Sequence, residues 1–170
     1  TYNIDPIDLK RKITNKTKAI FIVSVYGLPC DLDEILEIAK QHNIPVIEDN
    51  AECFLSTYKG KIVGSLCDIA SFSFENSKHI SCGEGGMITT NNEKYAELCR
   101  KFGGHGFKSL KATDGVVKKD KNLLQHPNYE RHNQIGWNYR LPEINSAAPF
   151  EGCVTKENVI SSSCPVSISG

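Results

Sequence analysis

Residues 71–90 read SFSFENSKHISCGEGGMITT. Ser71, Phe72, Ser73 and Phe74 alternate polar and apolar, so the serines face one way and the phenylalanines the other, which is the period of a strand. The glycine-dense run GEGGM, which permits close backbone approach, follows, and residues 86–90 predict a further strand. One lysine, Lys78, stands between the buried strand and the turn.

The same grammar extends on both sides. AIFIVSV at 19–25 is a nearly continuous, β-branched apolar run, expected to form a strand buried on both faces. The next segment carries Leu32, Ile35, Leu36 and Ala39 at helical spacing, with Asp31 and Glu34 placed as in a capping box and His42-Asn43 as its end. PVIED at 45–49 predicts a second buried strand with two carboxylates at its end. Asn92 opens a second helix, with Tyr95, Leu98, Cys99 and Phe102 on one face and Gly103-Gly104 as its stop. Strands alternating with helices predict an α/β layer structure around a mainly parallel sheet. Residues 104–136 are polar, lysine-rich and without period. The cluster Lys118, Lys119 and Lys121 there reads as a solvated face, with a role near a phosphate as the alternative, and Pro142 with Glu143 suits the first turn of another helix. There is no internal repeat.

Composition narrows the class. The chain of 170 residues is 39% apolar and 24% charged, with formal net charge zero. That balance argues against a nucleic-acid surface or an anionic membrane surface. No apolar run is long enough to span a bilayer, and no signal peptide is visible, so a cytoplasmic protein is expected. The seven cysteines, Cys30, Cys53, Cys67, Cys82, Cys99, Cys153 and Cys164, are odd in number and none is spaced C-x-x-C. Reduced thiols are expected rather than a disulfide framework or a metal site. Both ends read as those of a fragment: Thr1 is not methionine, and ISSSCPVSISG closes without a period.

Parallel sheets bind ligands beyond the carboxyl ends of their strands. One such end carries Asp49 and another carries Ser73 followed by Lys78. A partly desolvated lysine amine can hold an aldehyde cofactor, a neighbouring carboxylate can keep a pyridine nitrogen protonated, and a serine hydroxyl can bind a phosphate. Singly, each has an ordinary alternative: a solvated loop lysine, or an aspartate that ends a strand as a turn residue. GEGG matches neither a P-loop nor the dinucleotide fingerprint. It is the order Asp, Ser, Lys on successive strand ends that points to chemistry.

PVIEDNAECF, SFSFENSKHISCGEGGMITTNN, the pair His105-Gly106, and IGWNYRLPEINSAA together resemble the DegT/StrS-type sugar aminotransferases. The resemblance implies the pyridoxal phosphate (PLP)-dependent fold type I, a three-layer, mainly parallel α/β large domain like that of aspartate aminotransferase. It places residues 1–148 in part of that domain and leaves 149–170 as an atypical tail. It implies that Lys78 is the Schiff-base lysine, Asp49 the carboxylate on the pyridinium nitrogen, Glu52 a neighbour of the ring, and Ser73 a phosphate ligand. Asn138 is implied to reach the phosphate of the other subunit of a homodimer, and Arg140 to face the substrate there. The pair His105-Gly106 carries no implied catalytic role.

The implied reaction transfers an amino group from an amino acid, glutamate by expectation, to a keto group of a nucleotide-linked deoxysugar, for amino-sugar and surface-polysaccharide synthesis. Related sugar dehydratases carry histidine at the lysine position. Here KHIS has Lys78 at that position with His79 beside it, which favours transamination. A dehydratase and a non-catalytic α/β fragment are the alternatives.

Overall fold

The computed structural model describes residues 1–111, 122 and 125–147. Its elements are α1 (Pro6–Lys12), β1 (Ile20–Val23), α2 (Leu32–His42), β2 (Val46–Asp49), β3 (Thr57–Tyr58), β4 (Lys61–Ile62), β5 (Ile69–Ser73), β6 (Gly86–Thr89) and α3 (Glu93–Gly103). The main sheet has the order β1-β2-β5-β6. β1 with β2 and β2 with β5 pair parallel, whereas β6 returns antiparallel to β5. A parallel return needs a crossover, usually a helix, and the 74–85 connection contains none. The α/β class and the mainly parallel sheet are as the sequence implies. The β3–β4 hairpin was not foreseen, because two-residue strands are too short to show a period.

One face of the sheet carries the core. Ile20, Ile22 and Val46 pack with Leu32, Ile35 and Ala39 of α2. The other face of β1 is open, with Phe21 57% and Val23 40% exposed, so the strand is not buried on both faces as its composition suggested. The described helix that packs on β1 covers the Ile20 and Ile22 side alone.

Two helix starts behave differently. Asn92 caps α3, its side chain accepting the Lys94 and Tyr95 N–H groups at 2.9 and 3.2 Å. Asp31 occupies the N-cap of α2 but makes no capping hydrogen bond. The Tyr58 hydroxyl takes the Asp33 N–H instead, at 3.3 Å, so a tertiary contact replaces the expected box. α2 ends as expected, with Asn43 left-handed (φ 53°) and its N–H on the Ala39 and Lys40 carbonyls.

α3 turns away from the face its spacing suggested. Leu98 and Phe102 are 44% and 46% exposed, while Ala96 and Lys101 are buried. The Lys101 ammonium pairs with Glu97 one turn earlier at 2.5 Å, which lets the long apolar stem lie inside. After α3, Gly104 bridges to Asn138 and Phe107 to His132, so part of the 104–136 stretch is tied down by pairing. A short helical turn occupies 143–147, with Ser146 N–H on the Pro142 carbonyl at 2.9 Å. The lysine cluster at 118–121 and the 149–170 tail lie outside the described residues.

Candidate active site

Two neighbouring parallel strands end side by side. Asp49 closes β2 and Ser73 closes β5, and the register sets Asp49 opposite Ser71. Ser73 is the next same-face position along β5, so Asp49 and Ser73 share one face of the sheet at its carboxyl edge. The Asp49 carboxylate is oriented by Ala51 N–H, which donates to Oδ1 at 2.9 Å. Ser73 Oγ accepts the Glu75 N–H at 3.2 Å, which leaves its hydroxyl proton free to be donated elsewhere.

Lys78 sits in the loop that joins β5 to β6. Phe74 N–H donates to the Gly85 carbonyl at 2.8 Å and Cys82 N–H to the Phe74 carbonyl at 3.0 Å, so the base of the loop is closed. Within it Lys78 N–H turns back onto the Glu75 carbonyl at 3.1 Å. The side chain is half-buried, and among the described residues its amine makes no hydrogen bond or ion pair. Glu75 is held below the ordinary carboxylate range chiefly by the Ser77 hydroxyl and N–H, with the Lys78 charge adding to the effect. The loop is braced by the following segment. Asn145 Nδ2 donates to the Cys82 carbonyl at 3.1 Å. A Cβ at Gly85 would come within 2.6 Å of Cys82 Sγ and 3.0 Å of Leu141 Cδ1, so glycine lets both side chains pack closely on the base of the loop.

Glu52 lies just past the β2 end, and its Oε2 accepts the Tyr26 N–H at 3.0 Å. Its carboxylate therefore ties the end of β2 to the turn after β1, where Tyr26 is left-handed (φ 54°) and 80% exposed. Asn138 and Arg140 form a separate group. Arg140 Nε donates to Asn138 Oδ1 at 3.0 Å, and Arg140 Nη2 lies 3.2 Å from His105 Nε2. Both are exposed, and among the described residues neither hydrogen-bonds to Asp49, Ser73 or Lys78. The structure thus sets Asp49 and Ser73 on one face of the sheet edge, holds Lys78 in the loop that follows Ser73, ties Glu52 to the turn after β1, and links Asn138 to Arg140 on an exposed surface.

Sequence reasoning saw Glu48 only as the second carboxylate of a strand end. In the structure it is fully buried, on the face of β2 opposite Asp49. Oε2 accepts the Gly64 N–H at 3.0 Å, and Oε1 has no hydrogen-bond partner. Burial pushes its carboxyl above the ordinary range, against the smaller pull of Asn50 and Gly64. The Asn50 amide faces it and lowers its pKa somewhat, but among the described residues neither Asn50 polar atom makes a well-aligned hydrogen bond. Strict alternation from Asp49 was the available signal, since consecutive strand residues point to opposite faces. Cys30, Cys53 and Cys67 are also buried, and burial raises each thiol.

The profile of the DegT/DnrJ/EryC1/StrS aminotransferase family matches residues 1–151. The chain belongs to that family. It is 52% identical over 147 residues to the GDP-perosamine synthase of Caulobacter vibrioides, covering 86% of this chain and 35% of that protein. It is 44% identical over 147 residues to the GDP-perosamine synthase of Escherichia coli, covering 86% of this chain and 36% of that one. Its fold superposes with a TM-score of 0.75, at 31% identity, on an E. coli GDP-4-keto-6-deoxy-D-mannose-3-dehydratase solved with bound hydrated PLP. That match covers 89% of this chain and 39% of the other. The chain therefore spans little more than a third of the length of the relatives it matches.

Proposed function

We propose that this family member carries the cofactor edge of a PLP-dependent aminotransferase. The reaction moves an amino group from an amino acid, glutamate in this reading, to the keto group of a nucleotide-linked deoxysugar. What supports it is that Asp49 and Ser73 share one face at the carboxyl edge of the sheet and that Lys78, whose amine has no partner among the described residues, stands in the loop directly after Ser73. This donor set fits PLP: a carboxylate for the ring nitrogen, a hydroxyl for the phosphate and an amine for the aldehyde carbon. The relatives named as sugar-nucleotide synthases support the substrate class.

When bound, the cofactor supplies an electron sink for charge that develops at the donor's Cα. Asp49 would hold a proton at the pyridine nitrogen, and Ala51 N–H fixes the direction of its carboxylate. Ser73, its hydroxyl proton free, would donate to a phosphate oxygen. Lys78 would hold the cofactor's aldehyde carbon, and its amine, once released, would be the group that takes and returns the proton at the donor's Cα. Glu52 would border the ring. Amino group and carbonyl oxygen exchange places between donor and acceptor, so no external oxidant or reductant is consumed. Asn138 and Arg140, exposed and linked to each other, reach the neighbouring site of a homodimer in this reading. We place the reaction in the cytoplasm. No helix among the described residues is long and apolar enough to cross a membrane.

The test is borohydride trapping with added PLP on the wild type and Lys78→Ala. A covalent pyridoxyl label on Lys78, absent from the variant, is expected. A label spread evenly over surface lysines, or unchanged in Lys78→Ala, overturns the reading. Incubation with a keto-sugar nucleotide and glutamate then separates the two family chemistries. Amino-sugar product supports transamination, and loss of a sugar hydroxyl without amino transfer supports dehydration.

A further inference from the structure

Beneath the sheet edge, on the face away from Asp49 and Ser73, one residue, Gly64, spans three strands. The register aligns Glu48 of β2, Ala70 of β5 and Thr89 of β6 in a single row. Gly64 N–H donates to Glu48 Oε2 at 3.0 Å, and Thr89 Oγ1 donates to the Gly64 carbonyl at 2.7 Å. Gly64 therefore crosses over the small side chain of Ala70, which is buried to 1% exposure, and joins the two flanking strands. The crossing is specific to glycine. Gly64 has φ +86°, and an added Cβ would lie 2.4 Å from Phe72 Cζ. Phe72 in turn packs edge-on against Phe54, with ring centroids 6.0 Å apart.

The row lies next to the strand ends that carry the chemistry. Asp49 follows Glu48 directly, and Thr89 stands on the strand that closes the Lys78 loop. β2 and β6 are not neighbours in the sheet, so their strand hydrogen bonds do not link them directly. We propose that the Glu48–Gly64–Thr89 latch is the positioning element that sets the Asp49 strand against the Lys78 loop. Its consequence for catalysis rests on the reading of Asp49 and Lys78 given above; the latch itself does not.

Hydrogen exchange on the full chain tests it without cofactor. In Glu48→Ala and in Thr89→Val, exchange at the Phe74 and Cys82 amides, which close the Lys78 loop, is expected to rise about tenfold, the equivalent of one lost buried hydrogen bond. Glu48→Gln keeps an acceptor for Gly64 N–H and is expected to restore wild-type exchange. Amides in the middle of α2 serve as the control for global loosening. A change confined to Gly64, or an equal rise in α2 and the loop, overturns the proposal, as does a Glu48→Gln variant that behaves like Glu48→Ala. Thr89→Val is the milder change and decides the matter where Glu48→Ala does not fold. Pyridoxyl trapping on Lys78 is run in parallel and is expected to fall in Thr89→Val. Absence of label in the wild type would count against the cofactor reading, and the exchange results would still judge the latch.

Discussion

Glu48→Gln tests whether this carboxyl is carried in the fold as a neutral acid. The side chain is fully buried, its Oε2 on Gly64 N–H at 3.0 Å and its Oε1 without a partner. Burial is the largest influence and moves the pKa upward from 4.5. Above pH 4.5 the unfolded chain has released this proton while the folded chain still holds it. The stability this group contributes is therefore full below that pH and is lost as pH rises toward the folded pKa. One proton sets the limiting slope, about 1.4 kcal/mol per pH unit. Glutamine is nearly isosteric, keeps an acceptor for Gly64 and does not titrate, so the other carboxylates cancel in the comparison. Cys67, whose thiol is raised by burial and by Glu48, titrates far above this range. Urea unfolding followed by circular dichroism, between about pH 4.5 and 7.5, gives the difference in stability between wild type and variant. That difference is expected to fall as pH rises and to level off once Glu48 ionises in the fold. A flat difference, or one that grows with pH, would refute the burial argument.

Two further outcomes follow from single contacts. Asn92→Ala removes both N-terminal hydrogen bonds of α3 and is expected to cost about 1 kcal/mol. Thermal unfolding should register this as a drop of about 3 °C. Gly136→Ala places a Cβ 2.1 Å from Gly106 N and 2.7 Å from the Lys101 carbonyl oxygen, both backbone atoms with little room to yield. It is expected to destabilise the chain by about 3 kcal/mol and to open the segment holding Asn138 and Arg140 to proteolysis, with α2 remaining protected.

Much of the fold was legible because local chemistry and tertiary structure agree. PVIED became β2, and the alternation of Ser71 to Phe74 became the end of β5. Asn43 and Asn92 mark helix ends through their own backbone and side-chain preferences, and both do so in the structure. Where a distant group competes, the local reading failed. Asp31 lost its capping role to the Tyr58 hydroxyl, and α3 buried Lys101 while leaving Phe102 half open. The β3–β4 hairpin, at two residues per strand, left no trace in any period.

By itself the sequence determined the strand ends that carry Asp49, Ser73 and Lys78, because alternation and order along the chain are local properties. It also determined the family, through motifs spread over most of its length. Only the tertiary structure decided that β6 returns antiparallel and closes the lysine loop, and that Asn138 pairs with Arg140. It also decided that Glu48 lies buried beneath Asp49 with Gly64 bridging it to Thr89. Those outcomes depend on which strands become neighbours, and neighbours far apart in sequence are chosen by packing and register.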